Sequence, residues 1–206
     1  KFISSEPWTY ANQIISILSG AKLNARVPYG SSNRVRRDFG QAKEQFFLCC
    51  LRENDTVQSE LLMPQLQSAL SFFIGVRGWY AGRALLFKRE DGSTGVDISP
   101  FDPLHTYYGM DRNGLAWVCH ITQRNREEIE DEFGVEMPLR ASLAGSSDGG
   151  TDTYDYYDRD INCVIGGTTW LKEPQPHSPA NMKRKAVPCF IGAVGAVPFI
   201  TRKDSG

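Results

Sequence analysis

The hydrophobic period of the chain changes at Trp79, and that change constrains the fold more than any single motif does. Before it, apolar residues recur at helical spacing. After it, they alternate in short runs separated by Gly, Asn and Asp. A chain whose helices come first and whose strands follow as hairpins predicts an α+β fold, with N-terminal helices packed against antiparallel β-hairpins. Four regions are expected: residues 1–78, mainly helical; 79–140, hairpins and a short helix; 141–153, a flexible loop; and 154–206, a hairpin and a terminal strand.

In the first region, "SSEPWTYANQIISILSG" offers Ser5 as a cap, an early Pro7, a stripe of Ile14, Ile15 and Leu18, and Gly20 as a stop. "KLNARVP" alternates Leu23, Ala25 and Val27 with polar residues, as a half-buried strand does. Two packed helices are expected next. The first carries Phe39, Phe46, Phe47, Cys50 and Leu51, with Gly40 a point of breakage or bending. The second starts at Val57, with Leu62, Leu66, Leu70 and Phe73 on one face and Pro64 in its first turn or at a kink.

Past Trp79, "EDGSTG" predicts the turn of one hairpin and "DRNG" that of a second, pairing residues 106–108 with 115–122. Asn125 and Glu128 form a capping box, Ile129 and Phe133 share a face, and Gly134 is a left-handed stop, so residues 126–133 predict a helix of about two turns that is stable only when packed. Residues 141–153 hold little to bury. Gly166 and Gly167 predict a two-residue turn between residues 162–165 and 168–171, and a Pro-rich loop, "PQPHSPANMKRK", leads into the last strand.

The chemistry-bearing residues do not assemble a familiar catalytic pattern. His105, His120 and His177 are scattered, and His120 and its neighbour Cys119 point to opposite faces of a strand. The Gly-rich "GVRGWYAGRALLF" lacks the Lys-Ser or Lys-Thr of a phosphate loop, and no GxSxG elbow occurs. Five cysteines without CxxC spacing are expected to be packed thiols in a reducing compartment. No catalytic residue, metal ligand or cofactor is assigned.

Two basic clusters remain, Arg34, Arg36 and Arg37, and Lys183, Arg184 and Lys185. Each suits DNA phosphate, an acidic neighbouring subunit, or plain solvent. "YDYYDRD" carries Asp155, Asp158 and Asp160; a charge-protected edge strand is preferred there over paired catalytic carboxylates, with an acidic interface as its functional form. The net charge of −1 provides no overall positive field for nucleic acid. The apolar run at residues 186–200 is shorter than a membrane span and is interrupted by Pro188 and Pro198, so no membrane is expected. The opening "KFISSEPW" has neither an initiating Met nor a signal-peptide layout, as in a chain whose beginning has been cut away.

Taken in order, "EPWTYANQIISILSGAKLNARVP", "VRGWYAGRALLFKREDG", "VDISPFDPLHTYYGMDRNGLAWV", "TQRNREEIEDEFG" and "VPCFIGAVGAVPFI" resemble the N-terminal part of a tailed-bacteriophage portal protein. The resemblance covers most of the chain and rests on the order of the segments, since none carries a catalytic signature. It implies a wing-region fragment, with stem and clip absent, of a non-enzymatic subunit. Such subunits form a ring, commonly of twelve, at one capsid vertex of the virion after assembly in the host cytoplasm. The ring is the conduit for double-stranded DNA during packaging and ejection, and the point of tail attachment. The implied partners are identical subunits, double-stranded DNA, the terminase packaging motor, the major capsid protein and the head-tail adaptor. Without stem and clip, the fragment is expected to associate weakly at most. The alternatives are a metal-dependent hydrolase of nucleic acid or polysaccharide using Asp152, Asp155, Asp158 and Asp160, and a stand-alone β-rich virion binding module.

Overall fold

A computed structural model describes residues 6–21, 26–27, 34–89, 91–136, 150–177 and 185–194, with residues 34–37 as backbone only. The fold is α+β, with four helices and two antiparallel sheets among the described residues. It divides into two compact units, Lys1–Pro100 with Ile191–Gly206, and Phe101–Phe190. The first hairpin thus belongs with the helices, whereas the sequence grouped it with the strands that follow.

In the first unit, α1 (Glu6–Ser19) turns Ala11, Ile14, Ile15 and Leu18 inward, the expected stripe, and packs on α3 (Leu66–Arg77). The helices approach closely because α3 has no side chain at Gly75: a Cβ there would lie 2.9 Å from Ile15 Cγ1. The Gln67 amide on α3 donates to the carbonyls of Leu18 and Ala21, at 2.8 and 2.5 Å, and so satisfies acceptors that the end of α1 leaves open. The strand expected at residues 22–27 lies mostly outside the described residues.

α2 (Arg34–Glu60) runs for 27 residues without the break expected at Gly40. One interior glycine costs only about 1 kcal/mol, which a helix this long absorbs. It also ends later than expected, and the signal is backbone chemistry. Leu62 adopts φ 56°, its N–H bonds to the Ser59 carbonyl, and the Met63 N–H bonds to the Gln58 carbonyl, closing a Schellman motif. Pro64 therefore stands in the linker before α3. Asp55 reaches across from α2 and accepts the Leu66 N–H at 3.1 Å, capping α3 from outside.

β1 (Trp79–Lys88) and β2 (Thr94–Phe101) form the expected hairpin around Asp91–Gly92, and β8 (Cys189–Ala193) completes a sheet in the order β2-β1-β8. α2 is tied to this hairpin by Arg89–Glu53 at 2.6 Å and by the buried Asn54, whose Oδ1 accepts the Ile98 N–H.

In the second unit, β3 (Thr106–Asp111), β4 (Gly114–Arg124), β5 (Thr151–Asp158), β6 (Ile161–Gly166) and β7 (Thr169–Pro176) form a sheet in chain order. The second hairpin pairs as expected, Thr106 opposite His120 and Tyr108 opposite Val118. α4 (Arg126–Phe133) has its capping box, with Glu128 accepting the Asn125 N–H at 3.0 Å, and its left-handed Gly134 at φ 63°.

Four expectations change here. β5 is the central strand of its sheet and not a charge-protected edge. Residues 151–153, assigned to a loop, begin that strand, with Thr151 and Thr153 buried; residues 137–149 lie outside the described residues. The turn before β7 is Gly167–Thr168, one residue later than expected, because Gly166 pairs with Thr169 as part of β6. β7 then continues through Pro174 to Pro176, residues assigned to the Pro-rich loop. As an edge strand it tolerates the missing N–H donors.

Candidate functional site

The five-stranded sheet has two unlike faces, set by the alternation of side chains along β4 and β5. Val118 is opposite Tyr157, His120 opposite Asp155 and Thr122 opposite Thr153, with Val164 and Asn162 continuing this face on β6. α4 covers part of it: Ile129, Phe133 and Val135 pack with Val164 and Leu171. On the same face, the Phe101 ring stacks on His120 at 4.2 Å and 11°. Buried Tyr157 donates its hydroxyl to Asp155 Oδ2 at 3.0 Å. Asp155, foreseen as part of an acidic interface, is thus half-buried on the face that the helix packs against.

The opposite face is aromatic and apolar. It carries Tyr107 on β3, Trp117, Cys119 and Ile121 on β4, Tyr154 and Tyr156 on β5, Cys163 and Ile165 on β6 and Trp170 on β7. All of these except Cys163 are exposed or half-buried. Trp117 and Tyr156 stack with centroids 6.4 Å apart, and the indole lies over Gly109, where a Cβ would come within 2.2 Å of its nitrogen. Cys119 and Cys163 flank Tyr156 on either side. Burial first, and the neighbouring Asp155 second, push both thiols above the ordinary cysteine range. Burial, with Asp158 next, raises the Tyr156 phenol. His120 and Cys119 point to opposite faces, as alternation requires.

The other acids of β5 and the turn after it are engaged locally. Asp158 Oδ1 accepts the N–H groups of Asp160 and Ile161 at 2.7 and 2.8 Å and so closes the turn into β6. Asp160 pairs with Lys185, which holds its carboxyl below the usual range. One foreseen acidic residue and one foreseen basic residue thus neutralise each other within the chain. Asp152 is exposed. Lys183 and Arg184 lie outside the described residues. Arg34, Arg36 and Arg37 occupy the first turn of α2, and their side chains lie outside the description.

Among the described residues, no group of three or more His, Cys, Asp and Glu side chains converges to hold a metal ion. The cavity beside the end of α2, about 420 Å³, is open and lined by Asp55, Thr56, Ser59, Glu60 and Gln65. Its Asp55 already caps α3. No described helix is long and apolar enough to cross a membrane.

Large apolar side chains also stand on open helix surface, besides those on the strands. Trp8, Tyr10 and Ile17 of α1 are exposed, as are Phe39, Phe46 and Phe47 of α2, the latter on the stripe that leads to buried Cys50 and Asn54. Helical spacing in the sequence marked these phenylalanines for packing. Nothing in that spacing distinguishes packing within the chain from packing against another one. No protein-family model and no curated protein matches the chain.

Proposed function

We propose that the chain is part of a structural subunit of a bacteriophage portal ring, a wing-like region whose work is contact with other proteins around a conduit for double-stranded DNA. The observation that carries the reading is the exposed aromatic surface of α1 and α2. Trp8, Tyr10, Phe39, Phe46 and Phe47 lie in water in the isolated chain, and apolar surface of this kind marks an interaction site. The elements follow in the chain as helices, hairpins, a short acidic helix and a last strand, the order of the segments on which the resemblance rests.

The placement of the carboxylates supports a structural role over the hydrolytic alternative. Asp155 and Asp158 lie three residues apart on one strand, so they point to opposite faces, and Asp158 and Asp160 are engaged in a turn and an ion pair. On this reading the terminase motor, the major capsid protein and the head-tail adaptor are partners of the whole subunit, and the virion is its location.

The test is electron microscopy of the purified full-length gene product. Rings with a central channel are the expected result. Compact particles without a channel would overturn the reading.

A further inference from the structure

A sheet ends in strands whose outer N–H and C=O groups lack partners, and proteins block such edges with proline, charge, bulges or cover. Among the described residues, three of the four sheet edges are blocked. On β2, Asn54 occupies the Ile98 N–H and Pro100 follows. β7 carries Pro174 and Pro176. β8 has only five residues, all half-buried, with Pro188 before it.

Among the described residues β3 has the fewest of these devices: the one register shift in its pairing, between Gly109 and Met110, sets the extra residue, Ala116, on β4. β3 contains no proline, lysine or arginine. Its one charge, Asp111, sits at the strand end and is gripped by both terminal nitrogens of Arg159 at 2.5 and 2.7 Å. Tyr107, Tyr108 and Met110 are 56%, 40% and 60% exposed, and Leu104 just before the strand is also exposed. Among the described residues, an open backbone edge and a neutral apolar surface therefore coincide on the six residues of β3.

We propose that β3 is a dimerisation edge, at which β3 of a second copy adds in antiparallel register and joins two five-stranded sheets across a twofold axis. The occupant follows from the other edges. In a second copy β2, β7 and β8 are blocked, so the strand free to pair is its own β3. A twofold contact places the same patch on both sides, and a patch without net charge meets no like charge when it meets itself. Tyr107 and Tyr108 then supply cross-strand aromatic pairs. This contact is isologous whereas ring closure is heterologous, so it stands or falls apart from the portal reading.

Sedimentation velocity of the chain from micromolar to hundreds of micromolar concentration tests it. The expected result is a concentration-dependent dimer whose dissociation constant rises by at least about tenfold in the double variant Tyr107→Lys, Met110→Lys. Both positions are exposed, so circular dichroism should report an unchanged fold. Hydrogen exchange should show the amides of residues 106–111 gaining protection as concentration rises. A chain that stays monomeric throughout would overturn the proposal. So would a dimer that persists in the double variant but is lost in Phe46→Lys, since that places the contact on α2.

Discussion

The side-chain oxygen of Asn54 accepts the backbone N–H of Ile98 at 2.7 Å across 44 residues of sequence. Asn54 is almost fully buried, and its amide nitrogen has no hydrogen-bond partner. The residue is therefore held for its one acceptor, which fixes the long helix α2 to the edge of the first hairpin.

Asn54→Ala removes that acceptor and leaves the Ile98 N–H buried without a partner, at a cost of about 2 kcal/mol. Chemical denaturation of the two proteins reads the difference. An unchanged midpoint would mean that water takes the place of the amide.

Arg159 holds the Asp111 carboxyl below the usual range, mainly through its hydrogen bonds. A depressed folded pKa gives a contribution that is whole above the unfolded value, near pH 4, and is lost as pH falls through the folded one. The stability gap between the parent and Asp111→Asn should hence be flat from neutral pH to about pH 4 and close below it. Urea midpoints at stepped pH check this. A gap that persists in strong acid would assign the loss to packing.

Leu62 is the one described non-glycine residue with positive φ, and its side chain is 94% exposed, so nothing holds it there but the Schellman bonds. The left-handed conformation costs a side chain about 1–2 kcal/mol, partly offset in a glycine variant by the greater freedom of its unfolded chain. Leu62→Gly should stabilise the protein by about 0.5–1 kcal/mol. A lower thermal midpoint would show that the Leu62 side chain has a contact of its own.

Cys49 is exposed, contrary to the expectation of packed thiols, while Cys163 is buried and its thiol, like that of Cys119, is harder to ionise than usual. Because the thiolate is the reactive form, a disulfide reagent at neutral pH should modify Cys49 first and Cys119 and Cys163 slowly. Peptide mapping after a short pulse gives the order. Equal labelling of Cys163 would mean that its sheet opens on the timescale of the pulse.

What was legible in the sequence is what local chemistry determines. Asn125, Glu128 and Gly134 specify both ends of α4, and "EDGSTG" and "DRNG" specify two turns, because caps and turns are decided by residues within reach of one another. The position of β5 was not legible. Its alternation of Asp, Thr and Tyr looks like solvated surface, yet Thr153 and Tyr157 are buried between β4 and β6. Period reveals that a strand has two faces and is silent on how many neighbours it has. The pairing of Lys185 with Asp160 was hidden for the same reason: the contact spans 25 residues and depends on tertiary placement. Pro64 falls in the linker, because α2 ends at the Schellman bonds of Leu62 and Met63, and Gly40 misled for a different reason. A glycine marks a cost to a helix, and whether that cost ends the helix depends on the whole helix.

The two sheets differ in when they can be completed. Every neighbour in the sheet from β3 to β7 is also a neighbour in the chain, a topology of local contacts that forms early and fast. The sheet β2-β1-β8 has the opposite character, because residues 102–188 are translated between β2 and β8. As the chain leaves a ribosome, β1 and its helices emerge first, yet they wait with one flank of β1 open until β8 arrives and the Val194 N–H reaches the Gly78 carbonyl. The unit that begins the sequence is thus the one whose folding finishes last.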